Sequence, residues 1–101
     1  MRYYLAMLEK EVEAYLVWCV ERLGGRAYKF ASPNQRGVAD RIVCLPGQTW
    51  FVELKRPKGG RLSPHQKAFA EEMARLGQQY ILLWTKEQVD AFIARISGTG
   101  R

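Results

Sequence analysis

Two runs of strand-forming residues separated by a short turn constrain the fold of this chain more than any other feature. Residues 41–45 (Arg-Ile-Val-Cys-Leu) and 50–55 (Trp-Phe-Val-Glu-Leu-Lys) are rich in β-branched and aromatic side chains, which favour pleated strands. The intervening segment, Pro46-Gly47-Gln48-Thr49, is typical of a turn, and Pro57 ends the second run. The sequence therefore predicts a β-hairpin.

Helical periodicity and capping signals define the elements on either side of the hairpin. In residues 4–23 apolar side chains recur at helical spacing, and Gly24-Gly25 follows as a stop signal. The other expected elements are a short strand at 26–31, a helix at 64–76 with Ser63 as N-cap, a buried strand at 80–84, and a final helix capped by Thr85 and Gln88. The prediction is a single α/β domain over residues 1–101, with the order αβββαβα and a small mixed sheet in which the middle helix makes a crossover.

Positive charge is concentrated in the middle of the chain. The protein has 16 Lys and Arg against 10 Asp and Glu, giving a formal net charge of +6, which favours a polyanionic partner. The basic residues of the middle third are Arg36, Arg41, Lys55, Arg56, Lys58, Arg61 and Lys67.

The cysteines and the N-terminal segment bear on the compartment. Cys19 lies in a helical pattern and Cys44 in a strand pattern, which predicts buried thiols in a reducing compartment rather than a disulfide. The N-terminal segment is charged too early for a signal peptide, and no apolar run reaches membrane-spanning length. A cytoplasmic location is expected, with no membrane partner.

Asp40, Glu53 and Lys55 form the candidate chemical site. Residues two apart in a strand share a face, so Glu53 and Lys55 point to one side while Leu54 points to the other. Asp40 precedes the first strand of the hairpin, which can bring it close to Glu53. Two carboxylates suit Mg²⁺, which would lower the pKa of a bound water that Lys55 orients or helps to deprotonate. The expected reaction is phosphodiester hydrolysis.

A solvated pair of opposite charges would explain Glu53 and Lys55 equally well if they stood alone, because such pairs are common and contribute little. The loop that leads into Asp40 and the surrounding basic residues favour the metal site. His65 is the only histidine, which excludes a Ser/His/Asp triad and a zinc site of the C2H2 type.

Three short motifs occur in a fixed order along the chain. They are Arg36-Gly37-Val38-Ala39-Asp40, Val52-Glu53-Leu54-Lys55 and Leu62-Ser63-Pro64-His65-Gln66. Together they resemble the VRR-NUC (virus-type replication-repair nuclease) domain of the PD-(D/E)XK superfamily, and the opening of the first helix is similar to that of the phage-encoded, stand-alone members. The resemblance covers nearly the whole chain and implies the restriction-endonuclease-like fold. Ala39 stands where the family usually has proline, which would loosen the loop without removing a ligand.

The resemblance also implies roles for the residues of the site. By similarity, Asp40 and Glu53 bind the divalent metal with the main-chain carbonyl of Leu54, and Lys55 assists the water. The implied cofactor is Mg²⁺, with Mn²⁺ as an alternative.

Two further residues have alternative interpretations. A glutamate of the first helix completes the family's set: Glu9 is favoured, directly or through a water, and Glu13 on the same helix face is the alternative. Gln66 is a motif residue near the site, but Ser63-Pro64-His65-Gln66 is also a capping box in which the glutamine reaches back to the Ser63 amide.

The resemblance implies a homodimer that cuts branched DNA, particularly four-way (Holliday) junctions. A two-fold dimer presents two active sites to a substrate of matching symmetry. The residues expected to contact DNA phosphates are Arg36, Arg41, Arg56, Lys58, Arg61 and Lys67. The alternatives are a less selective endonuclease or nickase acting on flaps or duplex DNA, and a non-catalytic nucleic-acid-binding module.

Overall fold

A computed structural model of the chain describes residues 2–56 and 59–98. Its elements follow in the order α1 (Arg2–Arg22), β1 (Arg26–Lys29), β2 (Arg41–Leu45), β3 (Gln48–Leu54), α2 (Pro64–Arg75), β4 (Tyr80–Leu83) and α3 (Lys86–Ile96). This order confirms the predicted αβββαβα arrangement.

The strands form one mixed sheet in the order β1-β2-β3-β4. β2 and β3 make the predicted hairpin, with Arg41 opposite Val52 at one end and Leu45 opposite Gln48 at the other. Pairing starts earlier than expected on the second strand, which leaves a turn of only two residues at 46–47. β4 returns through α2 to pair with β3 in parallel, so the end of β3 lies between β2 and β4.

Successive residues of β3 point to opposite faces of the sheet, as strand geometry requires. Trp50 contacts Phe92 of α3, with ring centroids 5.2 Å apart, whereas the next residue, Phe51, contacts Phe69 of α2 at 5.8 Å. The α1 and α3 helices therefore cover one face and α2 the other. Glu53 lies two residues beyond Phe51, so it shares the α2 face.

The main hydrophobic core lies between the sheet and the pair α1 and α3. Its fully buried side chains include Leu16, Val20, Val43, Val52 and Val89. Both thiols are free. Cys19 is buried in this core, as predicted, whereas the prediction of a buried thiol was wrong for Cys44, which is only half-buried.

Two strands differ from the prediction. β1 ends at Lys29 rather than at residue 31, and β4 ends at Leu83 rather than at residue 84. β4 was expected to be buried, but Leu83 is its only fully buried residue. The reason is its position, since β4 is an edge strand and has a neighbour on one side only.

The helix caps follow the sequence signals with one exception. Thr85 caps α3 and its hydroxyl accepts from the Gln88 N–H at 3.1 Å, as expected. The Gln88 side chain instead accepts from the Trp84 N–H at 2.6 Å, so the expected reciprocal bond to Thr85 is replaced by a bond to the residue before it. Within residues 2–56 and 59–98, no helix is both long enough and apolar enough to cross a membrane.

Candidate active site

The hairpin sets Asp40 opposite Glu53. Arg41 pairs with Val52, so continuing the antiparallel register by one residue brings the two carboxylates face to face. Asp40 is fixed there by backbone contacts, because its Oδ2 accepts from the Leu54 N–H at 2.8 Å and its carbonyl accepts from the Phe30 N–H at 3.1 Å. The end of the hairpin thus brings together the two carboxylates predicted to bind metal.

Glu53 is a buried carboxylate with one satisfied oxygen and one free oxygen. Its side chain is 2 % exposed. Oε2 accepts from Gln66 Nε2 at 3.0 Å and lies 3.7 Å from Lys55 Nζ. Oε1 is buried without a hydrogen-bond partner among the described residues. A buried carboxylate oxygen without a donor carries a desolvation cost, which a cation could offset.

The electrostatic interactions of Asp40 and Glu53 also favour a cation at this position. Burial, together with the nearby Asp40 carboxylate, raises the pKa of Glu53 to about 8, and the ammonium of Lys55 only partly opposes this shift. Burial and the charges of Glu53 and Asp40 also raise the pKa of the Tyr80 phenol to about 12. Burial and the facing Asp40 carboxylate therefore favour a proton or a metal ion at Glu53 over a bare negative charge.

Gln66 takes both of the roles that the sequence left as alternatives. Ser63 is the N-cap of α2, and its hydroxyl accepts from the Gln66 backbone N–H at 3.2 Å. The Gln66 Oε1 accepts from the Ser63 N–H at 2.9 Å, which leaves Nε2 to donate to Glu53. Because an amide has an acceptor at one end and donors at the other, the cap fixes which end faces the carboxylate.

The two helix-one glutamates differ in what they contact. Glu13 Oε2 lies 2.8 Å from Arg41 Nε and 3.9 Å from Lys29 Nζ, and Arg41 also donates to the Ala27 carbonyl at 2.9 Å. Glu9 is half-buried one helical turn earlier. No group of three or more His, Cys, Asp or Glu side chains suited to a metal occurs in the part of the chain that the structure describes, so neither glutamate joins Asp40 and Glu53 directly.

Arg41 lies on the other face of the sheet from Asp40. Its guanidinium is bound between α1 and β1, and its side chain is 14 % exposed, so its position is that of a structural contact rather than of a phosphate ligand. Three of the other predicted DNA contacts, Arg36, Arg61 and Lys67, are exposed, and Arg56 is half-buried. Lys58 lies outside the described residues.

Sequence reasoning missed two contributions to this site. The backbone N–H of Leu54 holds Asp40, whereas only the Leu54 carbonyl had been considered. Gly37 lies directly against the first turn of α2. Its presence in a motif was the only signal in the sequence, and the motif did not show which element it contacts.

The donor set fits a hard divalent cation. Asp40 and the free Oε1 of Glu53 supply two carboxylates, and Mg²⁺ in proteins commonly uses one or two carboxylates while keeping waters and substrate oxygens in its other positions. A hydrogen-bond donor lies on the opposite oxygen of Glu53, as is usual for a metal-ligating carboxylate.

Comparisons with known proteins agree with this chemistry. No family model matches the chain. It is 46% identical over 76 residues to a protein named "Putative nuclease p44" from Acyrthosiphon pisum secondary endosymbiont phage 1, covering 74% of this chain and 81% of that protein. A solved structure described as "VRR_NUC domain" matches with a TM-score of 0.80 and 32% identity, covering 84% of this chain and 92% of the other. The chain thus shares sequence with a phage protein named as a nuclease and shares its fold with a nuclease domain.

Proposed function

Because the chain belongs to the VRR-NUC family of nucleases, we propose that it is a Mg²⁺-dependent endonuclease that hydrolyses phosphodiester bonds in branched DNA such as four-way junctions. The observation that carries the proposal is the buried, unpartnered oxygen of Glu53 beside Asp40. A structural ion pair would satisfy both oxygens, whereas a metal ligand must keep one available.

Asp40, Glu53 and the Leu54 carbonyl would hold the metal, which is Mg²⁺ or Mn²⁺. When bound, the metal stabilises negative charge on the phosphate and lowers the pKa of a coordinated water. Asp40 is oriented for this by the Leu54 N–H, and Glu53 by Gln66. Because the pKa of Glu53 is raised to about 8, metal binding near neutral pH would displace a proton from this carboxyl, so metal binding and proton release are coupled.

Lys55 is the proposed partner of the attacking water. Its ammonium is held near the Glu53 carboxylate on the same strand face, and its side chain is 18 % exposed, which leaves it accessible to a water or a phosphate oxygen. From this position it orients the water and offsets negative charge that develops on the phosphate. Gln66 donates to the same Glu53 oxygen, Oε2, that Lys55 approaches, and it does not need to contact the substrate.

Glu9 is the proposed outer contact to the metal, through a water. The N-terminal half of α1 runs toward the end of the sheet that carries Asp40, because Glu13 lies beside Lys29 and Arg41 at that end. Glu9 is one turn further in the same direction, about 6 Å along the helix axis. Glu13 is the weaker candidate because its carboxylate is already paired with Arg41.

We propose that Arg36, Arg56, Arg61 and Lys67 hold DNA through its phosphates, together with Lys58, which lies outside the described residues. These residues come from the two loops that flank the carboxylates and from the first turn of α2. Phosphate contacts give affinity without reading base sequence, so binding is expected to weaken steeply with salt.

Branched DNA is the proposed substrate because the domain is small and offers one active site per chain. A two-fold homodimer would place two such sites on a four-way junction, and isologous pairing is the commonest form of oligomer. The proposed setting is the cytoplasm, which for a phage-encoded protein is that of the host cell.

The proposal is tested by cleavage of a panel of four-way junction, flap, nicked and linear duplex DNAs, with and without Mg²⁺. Junction cleavage that requires the metal is the expected result, and equal rates on all substrates would refute the junction preference. Asp40→Asn and Glu53→Ala should abolish cleavage while DNA binding persists, because these groups hold metal rather than phosphate. Lys55→Ala should reduce cleavage in the same assay.

The matched control is Glu87→Gln, which changes an exposed carboxylate at the start of α3, outside the proposed site. It should cleave like the wild type. Full activity of either the Asp40 or the Glu53 variant would show that the metal site has been assigned wrongly.

A further inference from the structure

Gly37 lies closer to α2 than a residue with a side chain could. Its φ is +82°, and a Cβ at this position would lie 2.4 Å from the carbonyl carbon and oxygen of His65 and 2.8 Å from the backbone nitrogen of Gln66. These are backbone atoms, so no change of side-chain rotamer can relieve the contact. The position therefore needs glycine for two reasons, conformation and space.

This contact joins the loop that carries Asp40 to the helix turn that holds Glu53. Asp40 is three residues beyond Gly37, and its carboxylate accepts from the Leu54 N–H on β3. Glu53, on the same strand, accepts from Gln66 in the turn that Gly37 touches. The two carboxylates are thus held against each other by β3 on one side and by the first turn of α2 on the other.

We propose that Gly37 is a positioning residue of the metal site, which sets the spacing of Asp40 and Glu53 by seating segment 37–40 on the backbone of His65 and Gln66. The inference rests on the proposed function for its effect on metal affinity. Gly37 touches neither metal nor substrate, and it acts through the ligands. Loss of a hydrogen-bond partner of a metal ligand, such as Gln66 on Glu53, typically changes metal affinity by about 10- to 100-fold, and Gly37 acts by placing that partner.

Gly24 provides a matched control. Its φ is also +82°, but a Cβ there would meet nothing within 4 Å. Gly24→Ala therefore introduces the same backbone strain as Gly37→Ala without the collision, and it lies at the far end of α1 from Glu9. A difference between the two variants reports the close contact alone.

The experiment compares the two alanine variants and the wild type as full-length proteins without DNA. Mg²⁺ affinity is measured by calorimetry, and the side-chain amide signals of Gln66 are followed by NMR in the metal-free proteins. We expect Gly24→Ala to match the wild type in both. We expect Gly37→Ala to bind Mg²⁺ about 10- to 100-fold more weakly and to shift the Gln66 amide signals.

The outcomes separate this inference from the proposed function. If the wild type binds no Mg²⁺, the metal proposal fails, and the NMR signals of the Gln66 side-chain amide alone test whether Gly37 positions this residue. Equal Gln66 amide signals and equal Mg²⁺ affinity in Gly24→Ala and Gly37→Ala would overturn the positioning role of Gly37. If Gly37→Ala does not fold, all three proteins are compared in trimethylamine N-oxide, which favours the compact state. A variant that stays unfolded there would make Gly37 a residue of the fold rather than of the site.

Discussion

Gln66→Glu should separate the stability of this protein from its activity. A glutamate at this helix position forms the same capping box, because one carboxylate oxygen can accept from the Ser63 N–H as Gln66 Oε1 does at 2.9 Å. Its charge is also favourable at the start of a helix, by about 0.3–1 kcal/mol. The capping box itself should therefore lose little or nothing.

The effect on the site is opposite, because the donor that faces Glu53 becomes a second negative charge. Gln66 Nε2 lies 3.0 Å from Glu53 Oε2. Two carboxylate charges at that distance repel by about 5 kcal/mol at an effective dielectric constant of 20. Because the pKa of Glu53 is already about 8 in the wild type, the added charge makes the proton between these two carboxyl groups still harder for a metal to displace, while that proton replaces the amide hydrogen bond and preserves the fold.

The assay is single-turnover cleavage at saturating Mg²⁺, with thermal unfolding of the same preparation in a chelator. At neutral pH we expect cleavage to fall by at least about 100-fold, which corresponds to only about 2.7 kcal/mol of the repulsion. The melting temperature should stay within a few degrees of the wild type, and raising the pH should restore part of the activity. Wild-type cleavage by this variant, or a loss that merely follows a loss of stability, would refute the reasoning.

The remaining predictions concern protons, salt and structural charge. The pKa of Glu53 is about 8 in the folded protein and 4.5 ordinarily, so the folded state holds this proton more tightly than the unfolded state does. The resulting contribution to the free energy of unfolding is complete below pH 4.5 and is lost as the pH rises through 8. Metal-free Glu53→Gln should therefore become more stable relative to the wild type as the pH rises from 4.5 to 8, measured as melting temperature against pH. Parallel melting-temperature curves for the two proteins would contradict the raised pKa of Glu53. Mg²⁺ binding near neutral pH should release up to about one proton, measured by calorimetry in buffers of different ionisation enthalpy, and no buffer dependence would contradict it. Arg41→Ala, which breaks the pair with Glu13, should lower the free energy of unfolding by about 1–3 kcal/mol without changing the salt dependence of DNA binding. Arg61→Ala should instead leave stability unchanged and reduce by about 1 the slope of the logarithm of the DNA-binding constant against the logarithm of the salt concentration. The reverse pattern would contradict the structural role of Arg41 and the DNA contact of Arg61.

The pairing of Asp40 with Glu53 was predictable from the sequence. It depends on two local facts, the short hairpin and the period of two along a strand, and both are visible in residues 40–55. The element order was predictable for the same reason, because caps and stop signals are local. The exposure of β4 was not, since an apolar run such as Tyr80–Leu83 has the same composition at the edge of a sheet as at its centre.

The rest of the site depends on packing between distant segments. Whether Gln66 caps its helix or serves the site could not be decided from the sequence, because the answer depends on where α2 lies over β3. The pair formed by Glu13 and Arg41 joins residues 28 positions apart, and no local pattern links them. For that reason Arg41 was grouped with the DNA contacts, although strand alternation already places it on the opposite face from Asp40.

The two-residue turn at 46–47 limits which amino-acid changes the hairpin can accept. It lies about 20 Å from Asp40 along β2 and is exposed and outside the site, so Pro46 is free to change, whereas Gly47 has a φ of +77° that few other residues adopt. Its length is not free. An insertion or deletion that shifted the pairing by one step would exchange the faces on which Asp40 and Arg41 lie, and in one of the two directions it would place an arginine opposite Glu53 and a carboxylate against α1. Functional homologues should differ at position 46, keep a residue that accepts a positive φ at position 47, and share the length of the turn.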